Sequence, residues 1–277
     1  FMTTHALSLT VDIEGSMYNA DKGVERNVSV NFTLHREGPT DEKYKEGVQR
    51  TENEMEFDKT PIPIGEELPT KFTYHLKDDS GIKAAEMGLA NVRLNAAQTM
   101  LFCPTVRSIT VIDEINQKRF NIIRSNADDT KGQVKVTTFT EKSSDCQDDN
   151  IRKFVSLEIE EYSPILSKYW QKNRNLRLHI GVEVDKENTI LPIPISSPSI
   201  YCSLPLTGFE KMLLPFYINS NDFEPATERT SLYLFKKETK MVYNQEKNED
   251  EEQVIQNGVN WSILRRSVSL YETLVDK

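Results

Sequence analysis

Apolar and polar residues alternate along Ala6–Ile13 (A-L-S-L-T-V-D-I). A strand with one buried face shows this period of two, and Gly15 is expected to end it. The pattern returns after a polar turn over Val28–His35 (V-S-V-N-F-T-L-H), and Gly38-Pro39-Thr40 then breaks the chain. Thr40 is placed to cap a helix, with Glu42 close behind, and a charged helix is predicted to run to about Met55. Thr70–Leu76 (T-K-F-T-Y-H-L) alternates once more. Strand, strand, helix, strand is the order of an antiparallel sheet with a helix laid on one face.

From Asp79 the period changes. Ile82, Met87, Leu89, Val92, Leu94, Ala97, Met100 and Leu101 recur near helical spacing, with Gly81 in front and Pro104 behind. The Met87, Met100 and Leu101 stripe is read as core. Val106–Ile112, Phe120–Ile123, Val134–Thr140 and Phe154–Ile159 follow as strands, with Ser143–Asn150 (S-S-D-C-Q-D-D-N) as a solvated loop. Leu176–Val184 (L-R-L-H-I-G-V-E-V) is the strongest strand signal of the second half. Ile190–Leu206 carries Pro192, Pro194, Pro198 and Pro205, so it is expected to be extended. Gln245–Gln253 (Q-E-K-N-E-D-E-E-Q) reads as a charged, mobile link, and the acidic run Glu249–Glu252 as a solvated face, not a metal site. Trp261–Val275 closes the chain as an amphipathic helix with Ile263, Leu264, Val268, Leu270 and Leu274 as its apolar set and Trp261 packing it. The class is α+β, or mixed α/β.

Composition narrows the function classes. The chain has 277 residues, which suits two domains, and 37% apolar residues, enough for a core. Its 34 basic and 43 acidic side chains leave a net charge of -9, which argues against nucleic acid as a main partner because that affinity begins with cations neutralising phosphates. Cys103, Cys146 and Cys202 are few and far apart, as are His5, His35, His75 and His179. Reduced thiols and no metal-site spacing are expected. With no stretch of membrane-spanning length and no signal peptide, a cytoplasmic protein away from membranes is expected. Phe1 precedes Met2, an unusual start that reads as a fragment of a longer protein. No phosphate-binding G-x-x-x-x-G-K-[ST] loop, G-x-S-x-G elbow or H-E-x-x-H helix is present.

Several segments resemble a known superfamily in the order they occur. Phe1-Met2-Thr3-Thr4-His5-Ala6-Leu7-Ser8 resembles the residues after the second glycine box of the Bergerat-fold ATPases, which include gyrase, heat-shock chaperones, histidine kinases and mismatch-repair proteins. Phe32–Gly38 and Leu68–Tyr74 are similar to later strands of that domain, although Pro69 stands where a glycine is usual. Leu101-Phe102-Cys103-Pro104 and Ser108–Val111 resemble the opening of the second domain of sacsin-like ATPases. Leu204–Gly208, Leu214–Ser220, Phe223-Glu224-Pro225 and Glu228–Leu232 are similar to the middle-domain segment in which chaperone ATPases place an arginine near the terminal phosphate.

The resemblance implies the remainder of a Bergerat-type two-layer α/β sandwich over residues 1–77, followed by a transducer-like middle domain over 78–277. It implies ATP and Mg2+, both held mainly by upstream residues, with the backbones of Phe1, Met2, Thr3 and Thr4 facing phosphate and Arg229 as the catalytic cation. Backbone N–H groups and a planar guanidinium are the donors a transferring phosphoryl group needs. A protein client or partner subunit and nucleotide-linked homodimerisation are also implied. Blander readings stand beside these: Phe1–Ser8 as an ordinary strand lead-in, Arg229 as a surface ion pair with Glu228 or Glu224, and Asn219, Asn221 and Gly208 as turn residues. The competing functions are a non-catalytic interaction scaffold and a nucleic-acid-processing subunit, the latter opposed by the acidic charge.

Overall fold

The computed structural model describes residues 7–19, 26–37, 40–57, 60–63, 68–125, 129–131, 133–146, 148–206, 208–210, 212, 214–226, 230–234, 236–244 and 249–276. The class is mixed α/β, and the chain divides into two compact units, Phe1–Ala90 and Asn91–Lys277.

In the first unit, β1 (Thr10–Asn19), β2 (Arg26–His35), β3 (Thr60–Pro61) and β4 (Lys71–Tyr74) form an antiparallel sheet in the order β3-β2-β1-β4. Gly15 does not end β1. The strand runs through it opposite Val30, and a Cβ there would stand 3.2 Å from the Thr70 Cα, so the glycine serves close approach of the next segment. Helix α1 (Asp41–Phe57) starts where Thr40 Oγ1 accepts from the Lys43 N–H (3.4 Å). Its side chains occupy the stretch of β2 that β3 does not reach. Thr51 Oγ1 accepts from the His35 N–H and Glu54 Oε2 from the Thr33 N–H, both at 2.9 Å. An open strand edge carries backbone groups that must find partners, and here a helix supplies them.

Helix α2 (Asp79–Phe102) begins in the first unit and ends in the second, with Asp78 Oδ1 accepting from the Gly81 N–H (2.9 Å). Gly81 therefore lies inside the first turn. Only the C-terminal part of the apolar stripe is core. Ala96, Ala97, Met100, Leu101 and Phe102 are buried, whereas Ile82, Leu89 and Val92 are exposed and Met87 is 59% exposed, which corrects its assignment to the core.

The second unit is built on a nine-stranded sheet. Its strands are β5 (Ser108–Asp113), β6 (Lys118–Arg124), β7 (Asp129–Lys131), β8 (Val134–Ser143), β9 (Asn150–Tyr162), β10 (Asn175–Val184), β11 (Ile200–Cys202), β12 (Leu204–Pro205) and β13 (Tyr217–Asn219). The order is β12-β11-β13-β10-β9-β8-β6-β5, with β7 on β8; β11 and β13 are parallel and the other pairs antiparallel. Alternation along β10 sends Leu176, Leu178, Ile180, Val182 and Val184 to a core shared with α3 (Pro164–Trp170) and α4 (Val259–Val275). The opposite face, through Phe120, Ile122, Phe139, Phe154, Tyr201 and Tyr217, packs against the end of α2. A Cβ on Gly181 would lie 2.7 Å from Leu101 Cδ2, so this glycine leaves the space that lets α2 settle on the sheet.

Two other expectations differ. Glu249–Gln253 does not lie in an irregular link but in β15 (Glu249–Asn257), paired antiparallel with β14 (Lys236–Asn244). Residues 245–248 lie outside the described residues. Trp261 keeps 46% of its surface exposed on α4, and the buried positions there are Val259, Asn260, Ile263, Leu264, Ser267, Leu270 and Leu274. Among the described residues, no helix is long and apolar enough to cross a membrane.

Candidate functional site

Phe1, Met2, Thr3, Thr4 and Arg229 lie outside the described residues. What the structure describes is the chain on either side of residues 227–229. Phe216, Tyr217 and Ile218 are buried in and before β13, and Phe223 and Ala226 are buried beyond it. The Ala226 N–H donates to the Ser231 carbonyl (2.9 Å), and Pro225 bridges Leu232 in antiparallel fashion. Buried Asn260, in the first turn of α4, clamps this stem. Its Oδ1 accepts from the Glu224 N–H (2.8 Å), and its Nδ2 donates to the carbonyls of Glu224 (2.7 Å) and Tyr233 (3.0 Å). Gly208 closes over the far side with φ 100°, and a Cβ there would meet the Thr230 carbonyl oxygen at 2.5 Å. Only glycine adopts that backbone at low cost and in that space.

The same segment contributes to a cleft of 460 Å³ in the second unit, lined by Lys135, Glu158, Arg177, His179, Asn219 and Asn221 on the polar side and by Leu101, Phe102 and Pro104 at the end of α2. Sheet register explains why these groups meet. Glu158, His179 and Asn219 are cross-strand neighbours in one row, and Lys135 pairs with Ser156 in the next. His179 is partly buried, with the Phe102 ring edge-on to it at 5.0 Å between centroids. Burial first, and then the charges of Lys135 and Arg124, pushes its imidazole down to about 4, so it is neutral at physiological pH.

Both asparagines are oriented by one residue. Ser203, between β11 and β12, has φ 63°, in the left-handed region where non-glycine residues are uncommon. Its N–H donates to Asn219 Oδ1 (2.9 Å) and its hydroxyl to Asn221 Oδ1 (2.7 Å), while its carbonyl accepts from the Cys103 thiol (3.2 Å). With both Oδ1 atoms occupied as acceptors, the two Nδ2 amides have no protein acceptor among the described residues. Burial holds the Cys103 thiol above its usual range, so it stays protonated as a donor.

Beside the cleft on the same sheet face, Arg152 pairs with both oxygens of Glu183 (2.7 and 2.6 Å) and with Glu141 (3.3 Å). Burial opposes the Arg152 charge, but these carboxylates outweigh it and raise its pKa. Burial also pushes the Tyr217 phenol up to about 12, and its oxygen accepts from Gln98 Nε2 (3.1 Å). These groups bond one another and do not line the cleft.

Among the described residues, no three His, Cys, Asp or Glu side chains are grouped so as to hold a metal ion. No protein-family model, characterised protein or solved structure matches the chain. The two asparagines read in the sequence as turn residues; Ser203, Lys135 and His179 carry no signal there, because only strand register brings them together.

Proposed function

We propose that this chain belongs to a chaperone-like ATPase of the Bergerat-fold superfamily, in which the second unit is the transducer and presents Arg229 to the terminal phosphate of a nucleotide. The observation that supports this reading is the clamped stem. Ala226 and Ser231 pair across residues 227–230, Asn260 ties both arms to α4, and Gly208 abuts Thr230. A guanidinium acting on a phosphoryl group has to be held to within a fraction of an ångström, and a stem tied down on both sides of residues 227–229 suits that role. A solvent-exposed arginine in an ion pair needs no such frame. In this reading, adenine, Mg2+ and the attacking water are handled by residues upstream of Phe1, and the backbones of Phe1, Met2, Thr3 and Thr4 face the phosphates.

The test is turnover. The 277-residue chain alone is expected to show no magnesium-dependent ATP hydrolysis. In the protein carrying the nucleotide-binding residues, Arg229→Ala is expected to lower kcat by about 10³-fold or more while nucleotide binding persists. Unchanged turnover would remove Arg229 from the mechanism. A second reading, a protein-interaction scaffold on the same fold, is favoured by the terminal position of β5, whose only sheet neighbour among the described residues is β6. Such an edge can take up an extended partner segment. Absence of the upstream carboxylates that bind adenine and Mg2+ would select this scaffold.

A further inference from the structure

The polar cleft contains more donors than its own fold uses. Asn219 and Asn221 have their acceptor oxygens engaged by Ser203, which leaves two amide NH2 groups without protein acceptors among the described residues. Ser203 achieves this only by adopting a left-handed backbone, a conformation in which a Cβ crowds the following carbonyl oxygen. Strain of this kind persists where the surrounding contacts over-determine it, and here it is held by the Cys103 thiol on one side and the asparagines on the other. Neither ring nitrogen of His179 has a protein hydrogen-bond partner among the described residues, and the ring lines the cleft.

Charge points the same way. Lys135 and Arg177 line the cleft against a single carboxylate, Glu158, in a chain whose net charge is -9. Arg177 is also tied to Glu160 at 2.7 Å, which fixes its guanidinium on the rim. The C-terminus of α2 would present negative carbonyls to a ligand here, but Arg124 donates to the Met100 carbonyl and offsets that end of the helix. The Glu158 carboxylate has no protein hydrogen bond among the described residues.

We propose that this cleft is an oxyanion-binding site, in which the Asn219 and Asn221 amides, Lys135, Arg177 and the His179 ring take a phosphoryl or carboxylate group while Glu158 receives a hydroxyl or ammonium of the same ligand. Charge-assisted hydrogen bonds from several preset donors are the chemistry by which proteins hold such groups. The apolar wall of Leu101 and Phe102 gives the ligand's carbon skeleton a surface to rest on. The inference does not depend on Arg229 or on ATP hydrolysis.

The test follows the His179 imidazole by NMR in the whole chain during titration with sodium phosphate, and separately with sodium acetate, at constant ionic strength. A saturable shift at His179 is expected, together with a rise in its titration midpoint, because a bound anion stabilises the imidazolium. His75, paired with Asp12 in the first unit, serves as the internal control and should not respond. Lys135→Ala and Asn219→Ala are expected to weaken phosphate binding by about tenfold each. Ser203→Gly, which keeps the backbone but releases Asn221, should weaken it less. ADP that competes with phosphate identifies a nucleotide as the source of the anion; phosphate or acetate binding without ADP competition identifies a free small molecule. The proposal is overturned if neither anion produces a saturable response at His179. It is also overturned if the response survives undiminished in both Asn219→Ala and whichever of Lys135→Ala and Ser203→Gly retains the wild-type ring signals of Phe154 and Tyr217, which report the folded core of the second unit. Failure of the Arg229→Ala test would leave this result untouched, since no turnover is read.

Discussion

His179 makes stability depend on pH in a definite window. Its folded-state pKa of about 4 lies below the ordinary 6.5, so between those values the unfolded chain binds the proton and the folded chain resists it. Stability is therefore complete above pH 6.5 and declines as pH falls toward 4, by at most on the order of 3 kcal/mol for a shift of this size. Lys135, Arg124, Arg177 and Glu158 are the charged groups around the ring, and only Glu158 would favour its protonation. The carboxylates of Asp12 and Glu54 act in a lower window. Hydrogen bonds from His75 and Thr33 to Asp12, and from His35 to Glu54, hold both below their usual range. Their contribution is present above those ordinary values and is lost as pH falls through the depressed ones. His179→Gln should accordingly flatten the fall in urea midpoint between about pH 7 and 5 without changing the behaviour below about pH 4. A slope identical to wild type would show that another group titrates there. Thr51 offers a second residue-level test. Its hydroxyl is the acceptor for the buried His35 N–H, so Thr51→Val should cost about 1–3 kcal/mol of stability and Thr51→Ser should recover most of it.

At the scale of elements, Gly208 shows how one backbone position constrains a neighbouring segment, here the one that begins at Thr230. Gly208→Ala would place a methyl carbon 2.5 Å from the Thr230 carbonyl oxygen at a φ that L-residues avoid, so Gly208 and the arm of the stem that begins at Thr230 have to separate. Amide hydrogen exchange is expected to rise at Ala226, whose N–H is bonded to the Ser231 carbonyl, while β8 to β10 stay protected. Unchanged exchange at Ala226 would mean that the stem does not rely on that contact. The strands most legible in the sequence are those with regular alternation, such as Val28–His35 and Leu176–Val184, because burial on one face imposes a period of two on the residues themselves. Helix α3 is not legible there: it is only seven residues long, and its signals, the Ser163 cap and Pro164 at the start, are local. The apolar stripe of α2 is legible but the exposure of its first half is not, since periodicity identifies a stripe without saying what covers it. The cleft is invisible for a related reason. Glu158, His179 and Asn219 are adjacent only through two strand pairings, and no spacing along the chain encodes that.

At the scale of the molecule, the two units are stabilised by different means. Val11, Val28 and Val30 are the buried apolar residues described in the first, which relies as well on the polar contacts of Asp12, Thr33, His35, Thr51 and Glu54. The second has apolar cores on both faces of its sheet. Burial of apolar surface is the dominant favourable contribution to folding, so the first unit is expected to melt at the lower temperature. Calorimetry of the whole chain should then resolve two transitions. Thr51→Val should lower the first and leave the second in place. Phe154→Ala removes a buried ring that contacts Phe139 and Tyr217 and should destabilise the second by about 3–5 kcal/mol while the first remains where it was. Phosphate should raise the second transition alone, because every cleft residue belongs to that unit, and the rise should shrink with salt as screening weakens the Lys135 and Arg177 contributions. A single transition moved equally by both substitutions would instead mean that the units fold as one cooperative body, and the shift with phosphate would then no longer report on the cleft's own unit.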